Sequence, residues 1–206
     1  MTARHQPKAS DEAATTGDPA APRTGSLDRR LPGDLPRDAL IERMIRVNHA
    51  GEYGARRIYE GQLAMLGRGS AEARIVRHMA EQEQRHLDAF DRLVADRRVR
   101  PTALQPLWHV AGFALGAVTA ALGPRAAMAC TVAVEEVIDE HYARQAERLS
   151  TEEPELRQMI EEFRADELEH RDIGLEHGAE QTPGYELLTG AIKAGSRLAI
   201  WLSERF

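Results

Sequence analysis

The chain has 206 residues, 42% of them apolar, with 33 Asp and Glu against 27 Lys and Arg. That length supports one domain with a substantial core, or a smaller domain with a tail, and basic residues scattered among acids leave no charged stripe for nucleic acid. The lone Cys130 excludes an internal disulfide and, within one chain, a zinc ribbon, a rubredoxin module or an iron–sulfur cluster, which fits a reducing compartment.

Residues 1–36 are rich in Pro, Gly, Ala and Ser with mixed charge. The stretch lacks the apolar core of a signal peptide, and its acidic residues argue against a transit peptide. It reads as a disordered leader with too little apolar surface to offset the entropy of ordering. The domain proper is expected over 37–206.

From residue 37 apolar residues recur three or four apart, the period of an amphipathic helix. Six helices are predicted, over 37–66, 71–97, 103–122, 125–149, 153–178 and 184–205. The breaks between them carry Gly, Pro, Ser and Thr. The predicted fold is all-α.

The third predicted helix stands apart, because it carries no Asp, Glu, Lys or Arg from Thr102 to Gly123 and places Gly112 and Gly116 four apart. It is short for a membrane span of about 20 apolar residues. Two readings stand: a helix lying on a membrane face, or a core helix whose glycines permit close packing. Leu107, Trp108, Phe113 and Leu115 on this helix, with Leu188, Ile192, Leu198, Trp201, Leu202 and Phe206 on the sixth, are the surfaces able to meet lipid; both sets could equally be buried against the other helices.

The second and fifth helices each place a glutamate three residues before a histidine: Glu83 before His86 and Glu167 before His170. Such a pair shares one helix face and can offer a carboxylate and an imidazole to one metal ion. One pair is weak evidence, but the pattern repeats. Glu52 precedes Glu83 by 31 residues, and Glu135 precedes Glu167 by 32. Tyr59 and Tyr142 each follow their glutamate by seven residues, Gln62 and Gln145 by ten.

Folded as two antiparallel hairpins turning near residues 68 and 151, the chain brings all six side chains to roughly 24 Å from the turns, at about 1.5 Å per residue. They can converge on one layer of a four-helix bundle, the arrangement of di-iron and di-manganese carboxylate proteins. Four carboxylates in a core layer without cations would cost far more than a domain's stability. Two divalent ions would neutralise them, and oxygen ligands with two imidazoles suit iron or manganese. Asp166 precedes Glu167 and could hold the outer nitrogen of a ligating histidine, with Gln82 in the matching place; a plain surface acid is the alternative. Tyr59 and Tyr142 either approach the site or pack the core. His49 and His141 lie off the ligand face.

The stretches MIRVNHAGEYGARRIYEGQ, QEQRHL, RVRPTALQPLWHVAGFALGA, MACTVAVEEVIDEHY, DELEHRDIGLEHGAE and AIWLSERF closely resemble the 5-demethoxyubiquinone hydroxylases of ubiquinone biosynthesis, over about residues 40–206. The resemblance implies a ferritin-like four-helix bundle with a di-iron centre held by Glu52, Glu83, His86, Glu135, Glu167 and His170, plus two additional helices that partly associate with the membrane. It implies a monooxygenase acting on a polyprenyl methoxy-benzoquinol with O2 and electrons ultimately from NADH. It also implies peripheral attachment to the cytoplasmic face of a bacterial inner membrane and a lipid-binding partner protein. With no Gly-x-Gly-x-x-Gly after a strand, NADH has no Rossmann site here. Competing readings are a ferroxidase or peroxide-reducing bundle, and a non-catalytic quinone carrier or assembly subunit.

Overall fold

The computed structural model describes residues 33, 35–149 and 153–206. The expected leader falls outside these, apart from positions 33, 35 and 36. Among the described residues there are six α-helices and no strand: α1 (Arg37–Met65), α2 (Ala71–Asp96), α3 (Gln105–Ala121), α4 (Pro124–Arg148), α5 (Pro154–Glu176) and α6 (Tyr185–Ser203). The all-α expectation holds. The expected fifth helix to 178 ends earlier, at Glu176, because Gly178 turns left-handed (φ 80°) and starts a separate 3-10 turn, Ala179–Gln181.

The helix starts follow local chemistry. Ser70 caps α2 by accepting from the backbone N–H of Ala73 (3.0 Å), satisfying one of the orphan donors of the first turn. Proline opens α4 and α5, where its missing N–H costs nothing.

Helix α1 pairs with α2, and α4 with α5. Two apolar clusters show how the hairpins lie. One joins Leu66, Val76 and Met79, beside the first turn, to Met128 and Val132 near the start of α4. The other joins Leu149, Leu156 and Ile160, beside the second turn, to Ile41, Met44 and Phe90. The two hairpins therefore turn at opposite ends of the bundle, and their middles form a shared layer between the clusters.

Helix α4 is the centre of the molecule. Every residue from Ala126 to Glu135 is buried, on all sides of the helix, as expected for a helix apolar all round. Helix α3 lies along α1, and its glycines explain the approach. A Cβ on Gly116 would strike the carbonyl oxygen of Ile58, one on Gly61 that of Phe113, and one on Gly112 would stand 2.9 Å from the carbonyl of Gly54. Close packing thus accounts for Gly112 and Gly116, yet the opposite face of α3 remains exposed at Leu107, Val110 and Val118, and Leu122 just past its end is exposed too. Among the described residues, no helix is long and apolar enough to cross a membrane.

Candidate metal centre

The shared layer holds all six repeated residues. Glu52 comes from α1, Glu83 and His86 from α2, Glu135 from α4, and Glu167 and His170 from α5; each is at most 1% exposed. Their ligand atoms form two groups, each within 4.8 Å throughout: Glu52, Glu83, His86 and Glu167, and Glu83, Glu135, Glu167 and His170. Glu83 and Glu167 belong to both groups. Each group therefore holds one imidazole, one private carboxylate and two shared ones, and can hold a metal ion.

The histidines face inward through Nδ1. That of His86 lies 3.2 Å from Glu167 and 3.5 Å from Glu52, and that of His170 lies 3.2 Å from Glu83 and 3.3 Å from Glu167. None of these approaches makes a hydrogen bond of acceptable geometry. Both Nδ1 atoms, both inner oxygens of Glu83 and of Glu167, and one oxygen each of Glu52 and Glu135 are buried without a hydrogen-bond partner. Buried polar atoms are rarely left this way, and eight of them converging on one layer fit a pair of cations. The donor set fits hard divalent ions as the sequence suggested.

In the protein alone, protons must do the neutralising. Burial, then the charge of Glu167, pushes Glu83 well above the usual carboxylate range, and burial, then Glu167 and Glu83, does the same to Glu135. Burial opposes the charged form of His86, but Glu167 and Glu52 outweigh it and raise the imidazole to about 12. His170 is likewise raised to about 11, by Glu167 and Glu83. Glu167 would be raised by burial, but the two imidazoles win and bring it to about 2.

Around this layer every support crosses between the hairpins. Tyr59 on α1 donates its hydroxyl to Glu135 Oε1 (2.7 Å), and Tyr142 on α4 donates to Glu52 Oε1. Asp166 on α5 meets Nε2 of His86 on α2 at 2.9 Å, and Gln82 on α2 meets Nε2 of His170 on α5 at 3.1 Å. Phe163 stacks on the His86 ring with centroids 4.0 Å apart. Tyr59, Tyr142 and Asp166 therefore all touch the layer, and the two tyrosines are also core residues.

His49 and His141 stand outside it. His49 pairs with Asp91 at 2.9 Å. His141 belongs to a buried network that sequence reasoning missed: Asn48 and Gln145 exchange two hydrogen bonds of 2.7 and 2.8 Å, and Nε2 of His141 lies 2.7 Å from Gln145 Nε2. Burial, helped by Arg144 and Arg148, lowers His141 to about 4, so it is held neutral.

Beside the layer lies an apolar cavity of about 480 Å³ between α1, α3, α4 and α6. Gly51 and Ala55, either side of Glu52, and Val134, next to Glu135, line it, as do Trp108, Ile192 and Ser203. Trp108 donates its indole N–H to Ser203 Oγ at 3.1 Å, tying α3 to α6.

A family model described as ubiquinone biosynthesis protein COQ7 matches residues 39–203. The chain is 62% identical over 180 residues to a protein of Rhodospirillum rubrum named 3-demethoxyubiquinol 3-hydroxylase, covering 87% of this chain and 85% of that one. It is 56% identical over 171 residues to the human NADPH-dependent 3-demethoxyubiquinone 3-hydroxylase, mitochondrial, covering 81% and 78%. To the yeast 5-demethoxyubiquinone hydroxylase, mitochondrial, it is 41% identical over 183 residues, covering 81% and 78%.

Proposed function

Because the chain belongs to the ubiquinone biosynthesis protein COQ7 family, we propose that it is a ferritin-like di-iron monooxygenase that hydroxylates a polyprenyl methoxy-methyl-benzoquinol, demethoxyubiquinol, in ubiquinone biosynthesis. One observation carries this reading: a buried layer of four carboxylates and two imidazoles, with eight unpaired inward atoms, lies beside an apolar cavity large enough for a substituted ring. The relatives' names favour a hydroxylase over a ferroxidase, a peroxide-reducing bundle or a carrier.

Glu52 and His86 would hold one iron, Glu135 and His170 the other, and Glu83 and Glu167 would serve both. When bound, the iron pair supplies two-electron reduction of O2, with one oxygen atom entering a ring C–H bond and the other leaving as water. Tyr59 and Tyr142 hold the private carboxylates by their Oε1 atoms and leave Oε2 turned inward. Asp166 and Gln82 accept from Nε2 of the histidines, which keeps the proton there and leaves Nδ1 as the donor to metal. The apolar cavity would receive the ring, with Gly51, Ala55 and Val134 lining it next to Glu52 and Glu135.

The two electrons come from a reduced nicotinamide nucleotide. The resemblance implies NADH, whereas the human relative is named NADPH-dependent. The polyprenyl tail confines the substrate to lipid, so the exposed apolar rows of α3 and α6, including Leu107, Val110, Leu198 and Trp201, would rest on the cytoplasmic face of the inner membrane as a peripheral contact. A lipid-binding partner protein of the same pathway would present quinol at this surface.

The test is turnover by purified protein loaded with Fe(II), given O2, a reduced nicotinamide and a short-tailed demethoxyubiquinol. A product heavier by one oxygen, labelled from 18O2, is expected. Absence of that product in protein that holds two irons would overturn the assignment.

A further inference from the structure

The two halves of the metal layer match in every ligand and differ in the group that hydrogen-bonds the outer nitrogen of each histidine. The outer nitrogen of His86 faces a carboxylate, Asp166 Oδ2, at 2.9 Å, whereas that of His170 faces a neutral amide, Gln82 Oε1, at 3.1 Å. Each donor element also supplies the support for the other: Gln82 adjoins Glu83, and Asp166 adjoins Glu167. The exchange is symmetric in geometry and unequal in charge.

That difference reaches the metal through the imidazole. For Nδ1 to donate, Nε2 must carry the proton, and it then donates outward to its partner. A carboxylate accepts this hydrogen bond with a full negative charge, shortening it and pushing electron density onto the ring. An amide oxygen pulls less. The surroundings differ as well, since the Asp166 side chain is 35% exposed, while Gln82 is buried. Orientation is fixed on both sides as well: Phe163 stacks on His86, and Tyr59 meets His170 edge-on with centroids 6.2 Å apart.

We infer that the two metal positions are unequal: the one at Glu52 and His86 binds its ion first and more tightly, and the one at Glu135 and His170 is the weaker, exchangeable position. Asp166 and Gln82 are positioning residues that set this order. The inference rests on the reading of the layer as a two-metal site and adds the sequence in which it fills. It also explains why a neutral residue stands at Gln82. Two carboxylate supports would add a second charge to a layer already holding four, and here the added charge would be buried.

Anaerobic titration of the metal-depleted protein with Co(II), followed by visible absorption and calorimetry, reads the order directly without turnover. Two steps at least tenfold apart in affinity are expected. Glu52→Ala should remove the tight step and Glu135→Ala the weak one. Asp166→Asn, isosteric and partly exposed, should weaken the tight step by about 10–100-fold and bring the two together. Gln82→Glu combined with Asp166→Asn should reverse the order. Two indistinguishable steps in the unaltered protein, or equal weakening of both by Asp166→Asn, would overturn the inference while leaving the two-metal reading intact. Absence of any Co(II) binding would overturn both.

Discussion

The hydroxyl of Tyr59 lies 2.7 Å from Oε1 of Glu135, a residue 76 positions later on the opposite hairpin. Tyr142 reciprocates on Glu52, so each half of the molecule supports the other half's private carboxylate. Hydrogen bonds to charged groups contribute about 1.5–3 kcal/mol. Tyr59→Phe keeps the ring in the core cluster and removes this bond together with a weak 3.9 Å contact from the hydroxyl to Met79 Sδ. The variant is expected to retain its helical circular dichroism and to lose iron to a chelator several-fold faster than the unaltered protein. Equal rates of iron loss would show that Glu135 needs no such anchor.

The metal-depleted form should lose stability as pH rises, whereas the metal-loaded form, which holds none of the protons that neutralise the depleted layer, should change little. In the protein alone His86 and His170 are raised to about 12 and about 11, and Glu83 and Glu135 are raised well above the carboxylate range. The folded chain therefore holds protons that the unfolded chain releases, for the carboxylates above about 4.3 and for the histidines above about 6.5. Stability from these groups is present at lower pH and is lost as pH rises through the folded values. Glu167, lowered to about 2, acts the other way, but its contribution is lost only as pH falls toward that value. Between pH 6 and 9 the depleted protein should fall in Tm as pH rises, by up to about 1.4 kcal/mol of stability per pH unit for each retained proton. Metal must displace these protons, so iron affinity should rise about tenfold per pH unit for each one displaced. Thermal melts with and without metal across this range check both expectations.

The six-residue layer was legible in the sequence because helical rise is rigid. Offsets of 83 residues from Glu52 to Glu135 and 84 from Glu83 to Glu167 survive folding as a common level in the bundle. Contacts between helices were not legible in the same way, since they depend on rotation about each helix axis. Gln62 and Gln145 occupy equivalent places in the repeat, yet Gln62 bonds the Ala127 carbonyl at 3.1 Å, whereas Gln145 pairs with Asn48. Tyr59 and Tyr142 could be placed near the layer, but not on the opposite half's glutamate. For Trp108 the sequence left lipid contact and burial both open; its indole turns to Ser203, 95 residues away, and the side chain lines the cavity.

The approach of α3 to α1 should be intolerant of a single methyl group. At Gly116 a Cβ would overlap the Ile58 carbonyl oxygen and stand 2.7 Å from the Ile58 carbonyl carbon. These are backbone atoms that cannot rotate aside. Overpacking of this kind costs about 1–3 kcal/mol, or more where the backbone must shift. Gly116→Ala is expected to lower the midpoint of chemical denaturation accordingly. At Gly190, where a Cβ meets nothing within 4 Å, the same change should be neutral or slightly stabilising, because alanine favours the helix.

Membrane contact is best tested on residues with no role in the cavity. Trp108 bonds Ser203, and Phe113 lies beneath the Arg57 guanidinium, 5.0 Å from its ring centroid. Replacing either would disturb packing as well as the surface. Val110 and Val118 are 65% and 59% exposed on the outer face of α3, and neither lines the cavity. Removing an exposed side chain from water contributes about 25 cal/mol per Å² of apolar area, so two serines at these positions should weaken attachment to liposomes while leaving the fold unchanged. Activity should fall more for a long-tailed quinol delivered in bilayers than for a short-tailed one in solution, because only the former must be met at the membrane. Unchanged liposome binding by Val110→Ser/Val118→Ser, with Tm preserved, would take the outer face of α3 off the membrane.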